Sequence, residues 1–254
     1  MAEAIRVANL TLAYGDRVIQ RDLNFSVSEG DVFVIMGGSG CGKSTLLRNM
    51  LGLETPATGE VCYDGVSYTQ AEPPERRKMR TAWGVTFQQG ALVSAMTLAE
   101  NLSLPLELYT DLNAKDRAEL INLKLALVGL AGFQNYYPAE ISGGMRKRAA
   151  LARAIMLDPR YLFFDEPSAG LDPISSRRLD ELIVTLADSM GATVVMVTHE
   201  LDSIFAIASQ SIYLDNVRRT LLDQGPPLTL RDHSEHPVVR EFLSRGQPVN
   251  SPET

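Results

Sequence analysis

One nonapeptide constrains this chain more than any other. Gly37-Gly38-Ser39-Gly40-Cys41-Gly42-Lys43-Ser44-Thr45 follows the continuous apolar run Val32-Phe33-Val34-Ile35-Met36 and precedes the helix-compatible Leu46-Leu47-Arg48-Asn49-Met50. Strand, glycine-rich loop and helix in that order satisfy G-x-x-x-x-G-K-[ST] in the setting it requires. The glycines let backbone N–H groups turn inward around a phosphate, and the helix N-terminus adds positive potential. Lys43 is expected to reach the β and γ phosphates, and the Ser44 hydroxyl to ligate Mg²⁺. An α/β core built around a nucleotide phosphate is therefore the expectation.

The rest of the chain agrees with such a core. Its 254 residues, 45% apolar and 22% charged, suffice for a well-buried interior and exclude a disulfide-stapled module or wholesale disorder. With 24 Lys and Arg against 31 Asp and Glu, the net charge of −7 has the wrong sign for a protein held along DNA by phosphate neutralisation, so no nucleic-acid partner is expected. The longest tempting apolar stretch, Leu120 to Phe133, is broken by Asn122 and Lys124 and falls short of the ~20 residues a bilayer span needs. Met1-Ala2-Glu3-Ala4 lacks the basic-then-apolar pattern of a secretory signal, so a cytosolic chain is expected, with Cys41 and Cys62 as free thiols.

Residues up to 30 alternate in the β manner, with Leu23, Phe25 and Val27 on one face and Asn24, Ser26 and Ser28 on the other, after a turn at Gly15-Asp16. An antiparallel hairpin is predicted. Val32 to Met36, Tyr161 to Phe164 and Thr193 to Val197 are instead continuous apolar runs, the texture of strands buried on both faces of a mostly parallel sheet. Between them, residues of about 90–158 carry helix-like stretches at 115–128 and 144–157, the second ended by Asp158-Pro159, which predicts a helical lobe inserted in the sheet domain. Ile212 to Leu214 and Val217 to Leu222 flank Asp215-Asn216 as a second hairpin, and a tail is expected from Gly225-Pro226-Pro227 onward.

Each apolar run ends in residues suited to phosphate chemistry. Asp165-Glu166 closes the second run, at the carboxyl edge where open α/β sheets bind ligands. Neighbouring strand residues point to opposite faces, so different tasks are expected: Asp165 in the Mg²⁺ shell, Glu166 orienting and deprotonating the attacking water. Thr198-His199-Glu200 closes the third run and puts His199 within expected reach of the γ-phosphate. His233 and His236 read as solvated. Gln88 in Phe87-Gln88-Gln89 follows a short β-like run, and the ring of Tyr14 can stack on an adenine.

Ile141-Ser142-Gly143-Gly144-Met145 opens a helix and supplies a hydroxyl, two flexible amides and a helix N-terminus, a second anion site. A single phosphate loop leaves that site without a ligand of its own chain. A γ-phosphate bound there would belong to another subunit's nucleotide, which implies a head-to-tail dimer around two ATP. A Gly-rich helix start that serves only as a cap is the competing reading of Ser142-Gly143-Gly144.

These elements in this order resemble an ATP-binding cassette ATPase, the nucleotide-binding domain of ABC transporters. By that resemblance Tyr14 is the adenine-stacking aromatic, Gly37 to Thr45 the Walker A loop, Gln88 the Q-loop glutamine that senses Mg²⁺ and γ-phosphate, and Ile141 to Met145 the signature. Tyr161 to Glu166 corresponds to Walker B with its catalytic glutamate, Ser168 to Asp172 to the D-loop, and His199 to the switch histidine. It implies a P-loop fold of cassette type with a mostly parallel core sheet, an antiparallel β subdomain and a helical lobe. The domain would span 1–224, with the lobe at about 90–158 and a tail at 225–254. The signature departs from the commonest pattern at Met145, where Gln is usual. The phosphate contacts expected come from Ser142, Gly143 and Gly144, which leaves them untouched. The segment Met145 to Ala154, with Phe87 to Leu92, Met96-Thr97, Glu100-Asn101-Leu102 and Leu104-Pro105-Leu106, is similar to the Mla type of cassette.

What that narrower resemblance implies is a homodimeric ATPase using ATP and Mg²⁺, peripheral on the cytoplasmic face of the inner membrane. It would drive an integral permease with an MCE-type protein in phospholipid transport. A soluble cassette such as an iron–sulfur assembly ATPase, or an importer ATPase for another solute, stays open. Repair cassettes are excluded because only 122 positions separate Lys43 from Asp165, too few for their coiled coil. Three further expectations concern Cys41, read as a reactive thiolate near a helix N-terminus; Val238 to Leu243, read as a short amphipathic segment; and the apolar stretch from Gly90 to Leu106. The last is expected to divide between lobe core and a groove for a permease helix.

Overall fold

A computed structural model describes residues 2–244 of the chain. They form two compact units, one running to Glu72 and resuming at Val195, the other spanning Pro73–Val194.

The first unit opens with the predicted hairpin, β1 (Glu3–Tyr14) and β2 (Arg17–Ser28), paired antiparallel with Tyr14 opposite Arg17 across the turn. Leu23, Phe25 and Val27 are buried and Asn24 and Ser26 exposed, as a period of two requires for a sheet with one wet face. The buried strand β3 (Val32–Gly37) follows, then helix α1 (Lys43–Met50). β4 (Thr58–Tyr63) returns to pair with β1 and is followed by the short β5 (Val66–Ser67), completing an antiparallel sheet in the order β2-β1-β4-β5. The Phe25 ring stacks on that of Phe33 with centroids 5.5 Å apart, fastening the hairpin to β3.

The second unit begins with the basic helix α2 (Pro73–Arg80) and the strand β6 (Trp83–Thr86). Three helices follow: α3 (Leu98–Tyr109), α4 (Ala114–Leu127) and α5 (Gly143–Ala154). β7 (Tyr161–Asp165) then pairs parallel with β6, and the long helix α6 (Pro173–Met190) leads to β8 (Thr193–Val197), within which the division between the units falls.

Helix α3 is absent from the sequence expectation, because Pro105 sits inside it and lacks an N–H for the helical ladder. Its start is secured by a capping box between Thr97 and Glu100. Leu98, Leu102 and Leu106 lie four apart on one stripe and are buried. Asn101 fixes the segment before it, with its amide donating to the carbonyls of Val93, Met96 and Thr97 and its oxygen accepting from the Val93 N–H.

The first unit resumes with α7 (Leu201–Ile207), β9 (Gln210–Leu214) and β10 (Leu221–Gly225). β9 runs parallel to β3, and β10 antiparallel to β9. The second hairpin is thus real, but its return strand starts at Leu221 rather than Val217. The Asp215 carboxylate accepts from the Val217 and Arg218 N–H groups, which removes them from a ladder, and Val217 is left 84% exposed. Two short helices close the described chain, α8 (Pro227–His233) and α9 (Pro237–Leu243). Val239 and Leu243 are buried, and the Phe242 ring meets Tyr213 edge-on at 5.3 Å, so the amphipathic segment packs on the first unit. The expected polar end from Gly246 to Thr254 lies outside the described residues. Among those described, no helix is long and apolar enough to cross a membrane.

Candidate functional site

The first unit carries the phosphate loop. Its backbone is held open by left-handed or otherwise glycine-type conformations at Gly37 (φ 147°), Gly40 (φ 73°) and Gly42 (φ 98°). Gly37 is required for a second reason, since a Cβ there would run into the carbonyl of Leu214 on the neighbouring β9 and the Cys41 sulfur. Lys43 folds back over the loop, and its Nζ donates to the carbonyls of Gly37 and Gly38 at 2.9 and 3.1 Å. The ammonium is thereby seated on the backbone of the loop itself. Ser39 and Gly40 are exposed, and Gly38, Ser44 and Thr45 half-buried, so the loop is open to a ligand.

Behind this loop stands a residue that sequence reasoning missed. Gln20 of β2 is fully buried, and its amide nitrogen donates to the carbonyls of Cys41 at 2.6 Å and Asp215 at 2.9 Å. Alternation counted back from Leu23, Phe25 and Val27 puts Gln20 on the wet face with Asn24 and Ser26; a register shift at the left-handed Asp22 (φ 53°) turns it inward, so the sequence pattern alone does not mark it. Cys41 itself differs from expectation. It is 2% exposed, and burial pushes its thiol above the ordinary range, outweighing the lowering by nearby Lys43. The helix N-terminus does not produce a reactive thiolate here, because desolvation wins.

Tyr14 ends β1 beside the hairpin turn, half exposed, with its hydroxyl donating to Glu54 at 2.7 Å. The bond fixes the phenol tip and leaves the ring available for stacking. His199 follows β8 and is exposed.

The second unit carries the remaining residues. Asp165 is the last residue of β7 and is 7% exposed. Glu166 lies just beyond the strand in a left-handed conformation, φ 51°, that a non-glycine residue adopts at a cost. Glu166 thus lies outside the strand, so the pleat that alternation assumes does not extend to it. The Glu166 carbonyl accepts from the Ala169 N–H, which starts the turn leading through Gly170 to Asp172. Asp172 caps α6, accepting from the N–H groups of Ile174 and Ser175, and bonding to Ser175 holds its carboxyl below the usual range.

Gln88 is exposed in a turn closed by the bond from the Gly90 N–H to the Phe87 carbonyl. Ser142 caps α5 through its hydroxyl oxygen, which accepts from the Met145 N–H at 3.2 Å. The capping reading is thus satisfied, yet Ser142 and Gly143 remain exposed, and the hydroxyl keeps its own proton to donate. The groove in front of them is lined by Gly144, Met145, Arg148, Leu171 and Ser175. One turn along the same helix, Lys147 brings the Gln88 and Glu166 segments together, its ammonium donating to both their carbonyls. Among the described residues no group of His, Cys, Asp and Glu could hold a metal alone.

The sequence model of the ABC transporter family matches residues 20–169. Across 96% of the chain, the sequence is 35% identical to the Escherichia coli intermembrane phospholipid transport system ATP-binding protein MlaF, covering 89% of that protein. It is 38% identical, again over 96% of the chain, to the probable ribonucleotide transport ATP-binding protein mkl of Mycobacterium tuberculosis, covering 67% of it. Among solved structures, the dimeric post-hydrolysis cassette MJ0796 bound to ADP and Pi aligns over 87% of this chain and 98% of its own, with TM-score 0.79 and 30% identity. The structure of cbiO1 from Clostridium perfringens, part of the ABC transporter complex cbiONQ, aligns over 96% of both chains with TM-score 0.82 and 25% identity. The chain belongs to the ABC transporter family and is its ATP-binding, ATP-hydrolysing component.

Proposed function

We propose that the chain works as a homodimer closed head to tail around two Mg-ATP, with each phosphate loop facing the partner's Ser142-Gly143-Gly144. Lys43 and the amides of Gly37 to Thr45 bind the β and γ phosphates, and Tyr14 stacks on adenine. The Ser44 hydroxyl, Gln88 and the Asp165 carboxylate are hard oxygen donors of the kind Mg²⁺ takes. Bound with the nucleotide, that ion would neutralise charge developing on the phosphates. Glu166 accepts the proton of the attacking water, and His199 steadies the γ-phosphate. The observation that carries this reading is Lys43, seated on the Gly37 and Gly38 carbonyls within a loop of open amides.

The cargo reading is phospholipid moved between the two membranes of a Gram-negative envelope. In it the dimer sits on the cytoplasmic face of the inner membrane against an integral permease and an MCE-type protein. Its support is the 35% identity to MlaF over nearly the whole chain. A second reading, transport of another solute, is supported by the comparable likeness to mkl. Purification from membranes through a tag on this chain, followed by reconstitution, separates them. ATP-dependent transfer of labelled phospholipid between vesicles is expected, whereas ATPase stimulated by a ribonucleotide and indifferent to lipid would favour the second. A chain that remains wholly in the soluble fraction would favour an iron–sulfur assembly role.

A further inference from the structure

We infer that Lys147 is a positioning residue that sets the Gln88 turn and the Glu166 backbone from a single ammonium group. It lies on α5, one turn beyond Ser142 and Gly143. Its Nζ donates to the Gln88 carbonyl at 3.2 Å and to the Glu166 carbonyl at 3.3 Å. Both acceptors belong to segments that regular structure does not hold. Gln88 sits in an exposed turn between β6 and the helical lobe, and Glu166 is a non-glycine residue held at φ 51°. A left-handed residue of this kind persists only where its surroundings determine it, and a charged donor on its carbonyl is such a determinant.

The arrangement is reinforced along the same helix. Arg153, six residues on, donates to the carbonyls of Ala91 at 2.8 Å and Gly90 at 3.2 Å. Ala91 and Gly90 are themselves left-handed, at φ 50° and 76°. A Cβ at Gly90 would come within 3.2 Å of the Ala150 side chain, so α5 lies close against the turn. The two cations divide the work. Arg153 anchors the base of the turn, and Lys147 joins its tip to the Glu166 carbonyl. A shift of α5 then moves the Gln88 turn and Glu166 together, so the signature helix and the proposed base stay in register.

This rests on the reading of Glu166 as the base, and the test is arranged to separate the two. ATP turnover, ATP affinity and melting temperature are measured for the wild type, Glu166→Gln, Lys147→Met and Lys147→Arg. Met keeps the length and apolar stem of Lys147 without a donor, whereas Arg keeps the charge and can fork to two carbonyls. Lys147→Met is expected to lower kcat about tenfold, as misplacement of a catalytic group does. KM for ATP should stay within about twofold of wild type, the melting temperature should not change, and Arg should restore most of kcat. Wild-type kcat in Lys147→Met, or a loss of ATP affinity and melting temperature in parallel with kcat, would overturn the inference. Full turnover by Glu166→Gln would instead overturn the assignment of the base, whatever Lys147 does.

Discussion

The Gln20 amide donates to the Cys41 carbonyl at 2.6 Å from a fully buried position, and so braces the phosphate loop from the far strand of the hairpin. The same nitrogen holds the carbonyl of Asp215, where the chain leaves β9. Gln20→Ala leaves both carbonyls without that donor, which costs about 1–3 kcal/mol when the groups stay buried. Chemical denaturation should show a loss of that order, and ATP affinity should fall with it. Unchanged stability and affinity would show that the loop holds its shape without the brace.

The environment of Cys41 reverses the reactivity expected from its place in the loop. With the thiol buried and pushed up by desolvation, alkylation of the native protein at neutral pH should be slower than that of the unfolded chain. The rate should climb as pH rises beyond the ordinary thiol range, because the thiolate forms later than in a solvated cysteine. Mass-spectrometric mapping of alkylation against pH checks this. Rapid labelling at pH 7 would mean that the loop opens far more than its packing allows.

The apolar stretch from Gly90 to Leu106 is core in part only. Leu98, Leu102 and Leu106 are core, Val93 is 39% exposed, and Leu92 and Met96 are half-buried. Leu92→Glu and Met96→Glu should leave melting temperature and ATP affinity close to wild type while releasing the chain from membranes, if this segment receives a permease helix. Flotation of tagged variants reads the outcome directly. Variants that remain folded and membrane-bound would place the coupling surface elsewhere.

Ser142→Arg should separate binding from turnover. Ser142 is exposed at the start of α5, so the bulk and charge of Arg are accommodated by the monomer, but they would occupy the place proposed for a partner's γ-phosphate. ATP affinity of the monomer should be unchanged, with turnover down by about two orders of magnitude or more, as expected when transition-state donors are lost. An active variant would contradict the shared site.

Much of this was legible in the chain because the decisive signals are local. The run from Val32 to Thr45 specifies strand, loop and helix by itself, and the alternation at Leu23, Phe25 and Val27 specifies the hairpin. What escaped depended on contacts distant in sequence or on conformations that composition does not encode. Gln20 meets Cys41 and Asp215 only after folding, and Lys147 meets Gln88 and Glu166 in the same way. Helix α3 was hidden by Pro105, and the late start of β10 by the grip of Asp215 on its turn. The left-handed Glu166 is the clearest case, since strand periodicity carries the alternation through it while the strand itself ends at Asp165.

The most direct test of the account is the behaviour of Glu166→Gln with Mg-ATP, followed by size-exclusion chromatography with light scattering and by phosphate release. The amide keeps the size of Glu166 but cannot take a proton from water, so turnover should fall about 10²- to 10⁴-fold while ATP binding is retained. The variant should elute as a dimer holding two nucleotides, and the nucleotide-free protein chiefly as a monomer. A Glu166→Gln chain that hydrolyses ATP at the wild-type rate, or stays monomeric at saturating Mg-ATP, would contradict it.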